Sequence, residues 1–176
     1  MGRVADRLRG SDLRSIGDAN AVSRDLARSG VLVREAIGLL SSDDPVLRSR
    51  SADALEKAST LSAEILRPHK RALLRVAASV KQQEVRWHLA QMLPRLELAP
   101  GERRQVQAFL REWLDDRSRI VAVCALQALW DMARHETRTQ ASLRALVAHC
   151  AEEGAPSLRA RARRLLREER CRRTTS

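Results

Sequence analysis

Acid–base, nucleophilic or metal-assisted chemistry in this 176-residue chain would have to come from four histidines, three cysteines, 22 carboxylates and its hydroxyls. Catalysis needs such groups in a constellation, and their spacing supplies none. No G-x-S-x-G elbow, glycine-rich phosphate loop, H-E-x-x-H pair or paired-carboxylate cleft can be written from the sequence. Cys124, Cys150 and Cys171 are odd in number and far apart, with no C-x-x-C or C-x₂₋₄-C…H pattern, so neither zinc nor a disulfide framework is indicated. Cys124 lies in an apolar run and reads as a small packing residue. His88 lacks a second His, Cys or carboxylate at ligand spacing and reads as a hydrogen-bonding group rather than a metal ligand. His69, His135 and His149 add nothing further, and Ser41, Ser42, Asp43 and Asp44 sit where helix capping explains them. The expectation is a non-enzyme that needs neither metal nor cofactor.

Charge is the next chemical resource. The chain carries 33 basic and 22 acidic residues, a net +11. Arg159, Arg161, Arg163, Arg164, Arg167, Arg170, Arg172 and Arg173, against Glu168 and Glu169, put +6 of it into one stretch. One reading is an electrostatic arm for nucleic acid or another polyanion. The other is compositional: 30 of the 33 basic residues are Arg, as a GC-rich genome favours, and an Arg-coated face is then a solvated one.

These groups have to be positioned by helices. Aromatic residues make up only 2% of the chain, Tyr is absent, and seven Gly and five Pro are too few for a turn-dense β protein. Ala, Leu, Arg and Glu dominate, the residues that lose least on entering a helix. No run of about 18 apolar residues is present to span a membrane. The start, MGRVADRLRG, lacks the apolar stretch of a signal peptide, and Asp6 stands where a myristoylation signal wants Ser or Thr. A cytoplasmic protein with no membrane partner is expected.

The helices repeat. Segments 47–55, 85–93, 121–129 and 158–166 superimpose without a gap, at offsets of 38, 36 and 37. Their first and ninth positions are apolar, the fifth small or apolar and the seventh polar, which marks one buried helix face. A weaker copy begins at Leu13. Leu47, Leu55, Val85, Leu93, Val121, Leu129 and Leu166 are expected in the core. Second helical stretches at 31–40, 68–80, 102–114 and 141–151 precede the copies, so each unit is helix, turn, helix. Pro45, Pro68, Pro100 and Pro156 fall at helix starts, and Pro94 should end or kink its helix.

Paired helices at this spacing, with D-x-x-V-R-x-x-A-x-x-A-L wording in the second, resemble HEAT repeats. Residues 43–58 (DDPVLRSRSADALEKA) match best, 82–96 (QQEVRWHLAQMLPRL) are similar, 117–133 put Ala122 at the usual Arg, and 156–169 place Arg163 at an apolar site. The resemblance implies an all-α fold, an α-solenoid of four to five antiparallel helix pairs stacked over residues 13–168. Residues 1–12 would form an N-terminal segment and 169–176 a basic C-terminal tail. It further implies that Arg48 and Arg86 pair with an acidic residue of the preceding turn, and that the second helices line a concave groove.

That groove would present Arg50 and Asp53, then Trp87, His88, Gln91 and Arg95, then Gln127, Trp130 and Asp131, and finally Arg161 and Arg164. The seventh-position ladder Asp53–Gln91–Gln127–Arg164 suits hydrogen bonding to an extended protein or peptide partner. Trp87 and Trp130 are either its aromatic anchors or indoles packed across seams between repeats. Trp113 follows the apolar spacing Val106, Phe109, Leu110 and belongs to the core. The leading expectation is a non-enzymatic binding module. The alternative is a nucleic-acid-binding protein using the Arg-rich C-terminal helix. A weaker resemblance, to the HEAT-like DNA alkylation-repair glycosylases, rests on charge, Trp87 and the dipeptide Trp130-Asp131.

Overall fold

Short polar side chains and prolines start the helices. Asp44 Oδ1 accepts from Val46 N at 2.8 Å and Leu47 N at 3.4 Å, with Pro45 in the first turn where its missing N–H costs nothing. Ser29 caps the preceding helix through Leu32 N. Glu102 reaches back to Ala99 N at 2.8 Å, half of a capping box. Pro94 acts as expected: the α-helix stops at Met92 and the chain tightens into a 3-10 turn over Leu93–Arg95. Pro68 instead lies inside a 3-10 segment, Ala63–His69, and the α-helix begins two residues later.

The computed structural model describes residues 3–133 and 137–175, and the side chains of all of these except 137–140 and 172–175. Among the described residues there are ten α-helices and no strand: α1 (Arg3–Leu8), α2 (Ala19–Leu26), α3 (Gly30–Leu39), α4 (Pro45–Leu61), α5 (Lys70–Ser79), α6 (Gln83–Met92), α7 (Pro100–Glu112), α8 (Arg119–Ala133), α9 (Thr137–Glu153) and α10 (Pro156–Thr175). None of the described helices is long and apolar enough to cross a membrane. His135 lies outside the described residues. The four repeat copies fall on α4, α6, α8 and α10, and the intervening helical stretches on α3, α5, α7 and α9.

The chain forms two compact units, residues 1–102 and 103–176, which divide within α7. In the first, α4 packs between α2 and α6 and against α1 and α3. Its buried positions include Ser49, Ser51, Ala52, Ala54, Ala58 and Ser59, small residues that let neighbouring helices approach from several sides. Helix α1, within the N-terminal segment, belongs to this packing: Val4, Ala5 and Leu8 are buried, and Glu35 Oε1 of α3 accepts from Val4 N at 2.8 Å. In the second unit α8 packs against α9, α10 and the 3-10 turn Trp113–Asp115, and α10 lies along α9. Trp113 is in the core at 1% exposure, as its spacing predicted. Residues 169–175 continue α10 as helix.

Two expectations need correction. The weak copy at Leu13 is not helical until Ala19; Leu13 and Ile16 are exposed. Asp12 Oδ1 accepts from Arg14 N and Ser15 Oγ from Gly17 N, local bonds that compete with helix formation. Leu166 is half-buried, while Leu165 is sealed at 1%. The buried stripe of α10 runs Leu158, Ala162, Leu165, a 3.6-residue period that drifts off the ninth position.

Candidate functional site

In the first unit, three second-position helices hold a belt of polar side chains. Lys57 on α4 donates to Asp53 Oδ2 at 2.7 Å, one turn back, and to Asn20 Oδ1 on α2 at 2.7 Å. On the other side of Asp53, its Oδ1 stands 3.9 Å from His88 Nε2 on α6. The Trp87 and His88 rings lie 5.5 Å apart, tilted by 57°. One turn further, Arg95 donates to Glu56 Oε1 at 2.7 Å, to Glu56 O at 3.1 Å and to Ser59 Oγ at 2.6 Å, closing the α4–α6 seam. Gln91 Nε2 donates back to Trp87 O. Asp53, Trp87, His88, Gln91 and Arg95 are therefore brought together. Asn20 was missed, although it precedes Lys57 by 37 residues, one repeat period.

His88 is largely buried, and desolvation lowers its pKa below the ordinary imidazole value. The carboxylates of Asp53, Glu56 and Glu84 oppose that shift and Lys57 adds to it. Its Nδ1 is buried without a hydrogen-bond partner. A neutral imidazole beside a carboxylate and an indole makes a hydrogen-bonding and stacking surface; these neighbours include no nucleophile for it to activate.

Arg50 is not on this surface, contrary to expectation. It is 6% exposed, and its guanidinium enters the loop after α1. Nε donates to Ser15 O at 2.9 Å, Nη1 to Leu8 O at 3.1 Å and Arg9 O at 2.6 Å, and Nη2 to Asp12 O at 3.1 Å. A planar fork of five donors suits four converging carbonyls. Gly10 and Gly17 line the same pocket. A Cβ at either would collide with the guanidinium, and Gly17 has φ of +54°, a conformation that favours glycine.

Arg48 serves backbone and an amide rather than a carboxylate, and Arg86 also reaches backbone of its preceding turn. Arg48 donates to the carbonyls of Ser42 and Asp43 in the preceding turn and to Gln82 Oε1, and Arg86 Nε donates to Val80 O.

In the second unit, Gln127 Nε2 donates to both carboxylate oxygens of Asp131 at 3.0 Å, and Arg161 Nη1 on α10 donates to Gln127 Oε1 at 3.2 Å. These three form a bridge from α8 to α10. Arg164 stays at the surface, paired with Glu168 at 2.8 Å. Trp130 is 7% exposed, so it is a packing residue rather than a surface anchor, on a helix enclosed by α9, α10 and the 113–115 turn. Burial pushes the Cys150 thiol above its usual value. Among the described residues no group of three or more His, Cys, Asp or Glu could hold a metal ion. No protein-family model matches the chain, and no curated protein matches it.

Proposed function

We propose that the chain is a small α-solenoid of HEAT-like helix pairs and a non-enzymatic binding module, taking an extended protein segment on the face built by α2, α4 and α6. The observation that carries this reading is the Asn20–Lys57–Asp53–His88 belt with half-buried Trp87 at its end. Side chains locked by one another present donors and acceptors at little further entropic cost, and an adjacent indole supplies the apolar anchor that binding hot spots favour.

The repeat architecture has separate support. Hydrogen bonds between neighbouring second helices join residues about one period apart: 37 for Asn20–Lys57, 36 for Ser59–Arg95 and 34 for Gln127–Arg161. A stack of near-equivalent hairpins produces such a pattern, each unit bonding to its copy. Trp130 and Asp131, packed or internally bonded on α8, have no part in this reading, nor has the glycosylase chemistry that rested on them.

A photo-crosslinking residue in place of Gln91, compared with one in place of exposed Arg75 on α5, tests the proposal in native cells. Discrete protein adducts from position 91, absent from position 75 and lost on Trp87→Ala, are expected. Equal adducts from both positions would remove this face from consideration.

A further inference from the structure

The second unit carries 16 basic and nine acidic residues, and most of the excess lies on α10. At about 100° per residue, Arg159, Arg163, Arg167 and Arg170 fall within roughly 80° of arc, forming one stripe along the helix. Arg163, Arg167 and Arg170 are exposed and Arg159 is half-buried. The side chains of Arg159 and Arg167 make no hydrogen bond or ion pair among the described residues, and Arg163 uses its Nε on Ala151 O.

The two acidic residues of α10 are turned away from the stripe, about 100° or more from its centre. Each is met by a different arginine: Glu168 by Arg164 at 2.8 Å and Glu169 by Arg144 of α9 at 3.0 Å. Both carboxylates of α10 thus have an arginine partner that lies off the stripe.

We infer that this stripe is a phosphate-backbone contact, and that the protein binds nucleic-acid duplex along α10. At 1.5 Å per residue the four arginines span about 16 Å, over which a duplex presents about ten phosphates at one per 1.7 Å. Guanidinium groups match phosphate oxygens in forked geometry. Of the large apolar residues of α10, Leu158 and Leu165 are buried on the far side, and half-buried Leu166 borders the stripe about 20° from Arg159. One partly covered leucine at its edge is far less than the apolar face an interfacial membrane helix inserts or the apolar centre of a protein–protein interface. Phosphates are read here without bases, so binding is independent of sequence.

The test is anisotropy of the full chain with a labelled 30-base-pair duplex across a salt series. Binding should weaken linearly in log–log form. Arg163→Gln, Arg167→Gln and Arg170→Gln together should flatten the slope by about 2 to 3 and weaken binding at least about tenfold near 0.1 M salt. The corresponding triple Lys variant should keep the slope, which guards against a folding defect. An unchanged slope in the Gln variant overturns the inference. So does an equal loss from Arg28→Gln, Arg34→Gln and Arg75→Gln, which would make binding a matter of net charge. Binding to phosphatidylserine vesicles or polyglutamate in preference to the duplex overturns it as well.

Discussion

The guanidinium of Arg50 donates to the carbonyl of Leu8, the last residue of α1, from 42 positions later in the chain. With Arg9, Asp12 and Ser15 supplying three further carbonyls, this one side chain closes the loop that returns α1 to α2. The carbonyls of Leu8 and Arg9 belong to the end of α1, where the helix dipole favours a cation.

Replacing Arg50 should therefore loosen that loop before it unfolds the unit. Lys has three donors on one nitrogen and cannot serve four carbonyls spread over eight residues. Arg50→Lys should cost about 2 kcal/mol, read as a lower urea midpoint, and Arg50→Leu more. Trypsin should cut at Arg9 and Arg14 faster in both variants than in the wild type. An unchanged digestion rate would mean that the loop holds itself in place.

Why this residue escaped a reading of the sequence is physical. Its partners are backbone carbonyls, which have no residue-type signature, in a loop 35 to 42 positions away. In the repeat pattern Arg50 is simply a fourth-position residue on an outward face. Asp44 before Pro45 and the apolar ladder Val85, Leu89, Leu93 were legible because caps and periodicity are local. Trp130 was not, because its burial depends on which helices close around α8. The α4–α6 seam lies between these cases: its bonds follow the repeat period, so Arg95 could be placed near the α4 row without knowing that Glu56 and Ser59 receive it.

The slip between Leu166 and Leu165 gives a sharp packing test. Leu165→Ala removes a side chain 1% exposed and should cost about 2–5 kcal/mol. Leu166→Ala, at a half-buried site, should cost clearly less. Chemical denaturation followed by helicity reads both. The reverse order would restore the strict ninth-position register on α10.

Acidification should weaken the first unit through His88. Burial holds its folded pKa below the ordinary 6.5, so the unfolded chain takes up the proton first as pH falls. Its contribution to stability is whole above about 6.5 and is lost progressively below that, until the folded imidazole also titrates. Asp53, Glu56 and Glu84 limit the loss, and Lys57 deepens it. Urea midpoints at pH 7.5 and 5.5 should differ more for the wild type than for His88→Gln, which keeps a polar group without titrating. Equal differences would show that the His88 proton is not linked to folding.

The three indoles occupy different environments, and quenching can separate them. Trp113 and Trp130 are 1% and 7% exposed, whereas Trp87 is half-buried beside His88. Acrylamide should quench mainly the Trp87 emission, and Trp87→Phe should remove most of the quenchable fraction while leaving helicity unchanged. Protonated imidazoles accept electrons from excited indoles, so the Trp87 signal should also fall as His88 titrates, in a range below about 6.5. If Trp130→Phe removed the accessible fraction instead, the anchor would lie on α8, and the α2–α4–α6 face would lose the one aromatic side chain that its proposed role as a docking surface relies on.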